Sequence, residues 1–379
     1  MAAATSLGPT LALLGTVLIG EFSLSRGELG LLIGVAMFTG GALSPLLGSF
    51  TDRLGGRKAI AVVFASAGLA YAVLGAAPSY VVMLIASLFG GIANGLTNPA
   101  TNKLIATGIA PGQRAFITGA KQSGVQVGNA LLGLLVPLGV IAWGWRPTVS
   151  AAAVVWLAFL PFAFWVTSPV PAVQSSRQPW ATAFRDVWPI SLYGMLLGVG
   201  ASVIVLLPLF AEESLGFDRI NAGRAAALAA IAAIGGRLTW ARRAERRDAF
   251  PATLRTIALL TILATAGLAL ATAVPWLIWP AAALGGISAG SWNSVGMLAT
   301  IVTAGPARAG AATGWVLLGF LGGTGVSTPF FGWLVDRTGS YVPTFAAAGA
   351  AALIAALIVV RASLISDRHA DSRGRQPPA

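Results

Sequence analysis

Apolar runs of about 20 residues recur from one end of this chain to the other. A helix of that length rises about 30 Å, the thickness of the hydrocarbon layer of a bilayer. Lipid offers the backbone no hydrogen-bond partners, so a chain divided into such runs folds as a bundle of membrane-spanning helices. Charge content agrees. Asp, Glu, Lys and Arg make up 9% of the 379 residues, against about 25% in a soluble domain. The runs are continuous and do not alternate over ~10 residues, which argues against a membrane β-barrel. The 47 Gly and 21 Pro suit helices packed closely in lipid.

The runs place twelve spans at 4–20, 28–50, 58–77, 79–104, 114–138, 146–167, 188–211, 219–240, 252–273, 275–303, 309–334 and 341–361. The first is short before Glu21. No convincing A-x-A site follows it, so no cleaved signal peptide is expected. Twelve spans put both termini on one side. Nineteen of the 24 Lys and Arg fall on the side that carries Arg53, Arg57 and Lys58, and Arg237 is counted among them. The positive-inside rule makes that side, and both termini, cytoplasmic in a multi-pass protein of the plasma (inner) membrane. The net charge of +12 is therefore an orientation signal with an attraction to anionic lipid, and nucleic acid is not an expected partner.

The stretch 168–187 holds three prolines and is the longest polar interruption. It reads as a cytoplasmic linker between an N-terminal half (1–167) and a C-terminal half (188–361), with a polar tail at 362–379. The halves repeat. At an offset of 195, "GGIANGLTN" (90–98) meets "GGISAGSWN" (285–293), pairing Asn98 with Asn293, and Pro111 meets Pro306. At an offset of 193, Asp52 and Arg53 meet Glu245 and Arg246. Copies six spans apart have the same orientation, a plan used by transporters that bind solute between their halves.

The loop after span 2 reads "GSFTDRLGGRK". It fits the pattern G-x-x-x-D-R/K-x-G-R/K-R/K through Gly48, Asp52, Arg53, Gly55, Arg57 and Lys58, with Gly56 inserted before the basic pair. Its sequence, its place after span 2 and its cytoplasmic side together resemble the major facilitator superfamily, over about residues 4–361. The resemblance implies an all-α membrane fold of twelve helices in two parallel-repeat six-helix bundles. It also implies that Asp52 and its basic neighbours latch the two halves on the cytoplasmic side. The second copy, "ARRAERRDAF" (241–250), is eroded: Glu245 stands for Asp52, and no Gly follows Arg246.

The resemblance implies a solute cavity lined by spans 1, 4, 7 and 10. Polar side chains deep in apolar helices are costly and are the default candidates for it. Asn94, Asn98 and Thr101 share one face of span 4 at i, i+4 and i+7. Span 5 offers Gln122 and Gln126, and span 10 offers Trp292 and Asn293. Lys121 is the most interior cation, placed either to snorkel to the cytoplasm or to meet an anionic solute. For each amide the plainer role is an interhelical hydrogen bond. No acid is expected at the midplane, so proton coupling would have to run through Glu21 or Glu212.

Cysteine is absent, and the one histidine, His369, lies in the tail. With no metal-ligand cluster, no nucleophile–His–acid set and no phosphate loop, the chain is read as a non-enzyme without a cofactor. The expected function is secondary transport of a small polar or anionic organic solute by a functional monomer, through alternating access. Two other readings compete with it. One is efflux of a drug-like or amphipathic metabolite past Trp292 and Trp315. The other is a non-transporting sensor or scaffold, which has no use for a latch.

Overall fold

The computed structural model describes residues 1–108, 113–166, 180–246, 249–304 and 309–374, and every regular element among them is helical. Span 1 is broken into α1 (Ala2–Thr5), α2 (Leu7–Leu13) and α3 (Gly15–Phe22). Spans 2 to 5 are α4 (Arg26–Leu54), α5 (Gly56–Gly75), α6 (Tyr80–Gly108) and α7 (Arg114–Trp143). Span 6 comprises α8 (Trp145–Ala158) and α9 (Leu160–Val166), and span 7 comprises α10 (Trp180–Val205) and α11 (Leu207–Leu215). Spans 8 and 9 are α12 (Arg219–Arg246) and α13 (Phe250–Ala271). Span 10 has a 3-10 turn (Pro275–Leu277), α14 (Ile278–Ile287) and, after an irregular stretch at 288–292, α15 (Asn293–Ala304). Spans 11 and 12 are α16 (Ala309–Thr338) and α17 (Val342–Gly374).

Among the described residues, eight stretches of helix are long and apolar enough to cross a membrane unaided. The broken spans 1 and 10, the arginine-bearing α12 and α16 complete the twelve. Residues 168–179 of the expected linker lie outside the described residues, and 180–187 form the first turns of α10. The helix α17 continues into the segment expected as a polar tail.

Local chemistry sets the turns. Ser25 and Glu28 form a reciprocal capping box at the start of α4. Gly55, at φ 78°, separates α4 from α5, a conformation that a side chain would strain. This supplies a physical reason for the motif's glycine.

Two helix pairs make most of the contact between the halves: α4 packs along α16, and α7 along α12. Both contacts depend on missing side chains. A Cβ on Gly30 would lie 2.6 Å from the Thr328 carbonyl oxygen, and one on Gly133 would lie 2.6 Å from that of Gly223. At the end opposite the basic loops, one buried cluster runs across both halves, from Leu11, Leu29 and Ile33 to Phe210, Phe331 and Phe345. Towards the basic end the core divides. One cluster, with Val63, Ala67 and Leu96, belongs to the first half, and another, with Tyr193, Trp292 and Val316, to the second. The halves are thus fused at the far end and separate towards the basic end. Around the bundle, Leu46, Leu135, Ile141 and Val154 are each more than half exposed, the apolar surface that lipid covers.

Candidate functional site

A polar cluster sits where α6, α7, α12 and the break in span 10 converge. Lys121 lies seven residues into α7, about 10 Å from its start at 1.5 Å per residue. Its ammonium donates to Asn102 Oδ1 at 2.6 Å and to Asn98 Oδ1 at 3.4 Å. Gln122 Nε2 donates to the same Asn98 oxygen at 3.3 Å. One turn further on, Gln126 Nε2 donates to the Gly290 carbonyl at 3.2 Å and so reaches from the first half into the second. Asn129 Nδ2 holds Gln126 Oε1 at 3.3 Å.

The second cation is Arg237. It is 9% exposed, and it lies nine residues before the end of α12. Nη1 donates to the Gln122 carbonyl at 2.8 Å and Nη2 to the Gly290 carbonyl at 3.4 Å, while Nε is buried without a hydrogen-bond partner. Charge counting along the sequence groups Arg237 with the cytoplasmic orientation charges. The structure corrects this placement, because α12 runs on to Arg246 and leaves Arg237 well inside the bundle. Its distance from the true helix end is the signal that identifies it. Among the described residues, the ion pairs lie elsewhere, and neither Lys121 nor Arg237 is in one.

The break in span 10 frees the carbonyl that both halves grip. Ser288 Oγ donates back to the Leu284 carbonyl at 2.6 Å, and Ser291 Oγ to that of Ile287. Such back-bonding bends helices. The Gly290 N–H reaches the Gly285 carbonyl at 3.0 Å, five residues back, and Trp240 Nε1 holds the Ile287 carbonyl at 2.7 Å. The equivalent stretch in the first half stays helical within α6. Asn98 and Asn293, paired by the repeat, therefore differ in setting. Asn98 is a hub of the cluster, whereas Asn293 opens α15 with a buried Oδ1 that has no hydrogen-bond partner.

The remaining candidates stand apart. Asn94 turns towards span 2, with Nδ2 3.8 Å from Met37 Sδ. Thr101 donates to the Thr97 carbonyl at 2.6 Å, within its own helix. Trp292 is 1% exposed and packs against Tyr193 and Phe320 in the core of the second half. Trp315 lines an apolar groove of about 780 Å³ with Phe38, Trp188, Met195 and Phe330. That groove is separate from the polar cluster.

At the far end, ionic contacts close the halves together. Arg26 Nε donates to Glu213 Oε2 at 2.8 Å, and its Nη1 to Asp336 Oδ1 at 3.2 Å. Asp336 also accepts the N–H groups of Arg26 and Gly27, at 3.1 and 2.9 Å. An acid of α16 thus caps the N-terminus of α4, where the helix dipole favours it. Tyr341 Oη donates to Glu213 at 2.5 Å, and Thr16 Oγ1 donates to Glu212 at 2.5 Å. Burial raises the Glu212 carboxyl above its ordinary range, against the bond from Thr16 and the charge of Arg219, 4.0 Å away. Glu21 is lowered by the Trp145 indole N–H at 2.5 Å and by Arg146 at 2.9 Å, all within the first half. The contacts of both acids are at the far end.

In the basic-end motif, Gly48 and Asp52 lie on α4, and their side-chain surroundings are outside the described residues, as are those of Arg246 on α12. Arg53, Lys58 and Glu245 are exposed. Arg57 donates to the Phe164 carbonyl, and its guanidinium lies 5.4 Å from that ring's centre, so this contact stays within the first half.

Two bundles fused at one end around a polar centre are the architecture of a solute carrier. The model of the Major Facilitator Superfamily matches residues 1–325, and the chain belongs to that family. It is a membrane transporter protein and not an enzyme. It is 26% identical over 377 residues to the probable sulfoacetate transporter SauU of Cupriavidus necator, covering 89% of this chain and 85% of that one. It is 28% identical over 288 residues to the probable nitrate/nitrite transporter NarK2 of Mycobacterium tuberculosis, covering 71% and 69%. A hexuronate transporter of Bacillus subtilis matches at 26% over 173 residues, covering 42% and 40%. Among solved structures, a single-residue mutant of the nucleoside transporter NupG superposes with a TM-score of 0.76 at 16% identity, covering 95% and 96%. A bacterial homologue of the human lysosomal transporter Spinster, inward-facing and unoccupied, superposes with 0.71 at 16%, covering 100% and 97%.

Proposed function

We propose that this chain carries a small organic or inorganic anion across the cytoplasmic membrane. The observation that carries the reading is Arg237, a buried cation held by two neutral carbonyls. Burying a charge without a counter-charge costs several kcal/mol. An anion in the cavity would supply the missing charge, and Lys121 offers a second one from the other half. The three relatives support this choice, because sulfoacetate, nitrate and nitrite, and hexuronates are all anions.

In this reading the bundles 1–167 and 188–361 rock about the central cluster, joined by the linker at 168–187, and the monomer is the working unit. The basic end and both termini face the cytoplasm, so the described state is closed to the outside. Asp52, with Arg53, Arg57 and Lys58, latches the cytoplasmic side in the opposite state, and the eroded Glu245–Arg246 copy contributes less. The test is counterflow into proteoliposomes with labelled sulfoacetate, nitrate and glucuronate, set against uridine as a neutral solute. Uptake of at least one anion and exclusion of uridine is the expected result. Uridine uptake with no anion uptake would overturn the reading.

A further inference from the structure

Arg237 does more than place a positive charge. Its fork spans three elements: it stands on α12, binds the backbone of α7 through Gln122, and binds the break of span 10 through Gly290. The Gln122 contact crosses between the halves, and it lies well below the glycine-backed contacts at the far end of the same helix pair. Gln126 adds a second crossing bond to the same Gly290 carbonyl. Two neutral carbonyls are weak partners for a guanidinium, and Nε has none. A charged acceptor forms bonds about twice as strong as a neutral one and takes a guanidinium in a bidentate fashion.

We propose that Arg237 ties the empty protein in its outside-closed state, and that an anion releases this tie by taking the guanidinium from Gly290 and Gln122. The inference rests on the anion site proposed above. Its consequence is that the empty protein rocks slowly and the loaded protein rocks readily, so transport proceeds mainly as exchange of one anion for another. A ligand moves a conformational equilibrium only through different affinity for the two states, and competition for Arg237 provides that difference.

The absence of cysteine makes the test direct. Cysteines introduced at the exposed far-end positions Ser79 and Thr272, one on each half, carry spin labels whose separation reports opening to the outside. Without added anion, the parent should show a short distance. Arg237→Gln should raise the population of the longer distance about tenfold. Gln126→Leu, which keeps the cation and removes one bond to Gly290, should raise it by a smaller factor. Inorganic sulfate, used as the probe anion against an equal osmolarity of sucrose, should lengthen the distance in the parent and leave Arg237→Gln unmoved. Folded Arg237→Gln and Gln126→Leu proteins with the parent's distribution would overturn the tie, even if Arg237→Gln had lost anion counterflow. That result would leave the anion site standing. A sulfate response that persists in Arg237→Gln would overturn release through this residue.

Discussion

Replacing Arg26 by Gln should unlock the far end. Among the described residues, Arg26 is the one cation that pairs with both Glu213 and Asp336, at 2.8 and 3.2 Å. Its side chain is 36% exposed, and the acids are 15% and 23% exposed. A hydrogen bond to a charged group contributes roughly 1.5–3 kcal/mol when shielded. Exposure and salt bring each of these nearer to ~1 kcal/mol. The backbone bonds from Arg26 and Gly27 to Asp336 survive in the variant, as does the bond from Tyr341 to Glu213, so the loss is confined to the side chain. About 2 kcal/mol corresponds to a shift of about 30-fold in the ratio of closed to open forms. Spin labels at Ser79 and Thr272 measure that ratio directly. A distribution unchanged from the parent would refute the reasoning, because it would mean that the apolar core alone holds the end shut.

Three other outcomes follow from the same contacts. Gly133→Val should push α7 and α12 apart, since its first carbon already meets the Gly223 carbonyl, with a cost of about 1–3 kcal/mol visible as lower thermal stability and weaker far-end closure. A carboxyl raised by burial makes the closed state bind more protons than the open one, so closure by Glu212 should strengthen as the external pH falls through its raised pKa and weaken above it. Glu212→Gln should remove that pH dependence from the label distances, and an unchanged slope would contradict the assignment. Asp52→Asn should slow counterflow at least tenfold, and Glu245→Gln should slow it less than twofold, because the second motif lacks its glycines. Equal losses in the two variants would contradict the proposed asymmetry of the latch.

The twelve spans and the two-bundle plan were legible because lipid imposes length and apolarity on every crossing segment. Breaks were not. Span 10 gives way at 288–292 through serine back-bonds and a glycine, and hydropathy does not register either. Helical spacing brings Asn98 and Gln122 forward and depth in the span brings Lys121, and the structure joins the three. Asn94 shares the face of Asn98 by spacing yet meets Met37 of span 2, because periodicity says which residues share a face and not which neighbour the face meets. Arg237 is hidden by a different effect. Counting basic residues treats every arginine near the basic end as an anchor, and only the extension of α12 to Arg246 separates a buried cation from a rim charge.

The central claim is that a buried cation selects an anion, and the most direct measurement is anion counterflow in Arg237→Gln beside Arg237→Lys. Removing the charge should lower sulfoacetate, nitrate or glucuronate exchange at least a hundredfold, about 3 kcal/mol, while Lys restores a measurable fraction by keeping the charge without the fork. Exchange in Arg237→Gln that matches the parent, with the protein folded and inserted, would contradict the account.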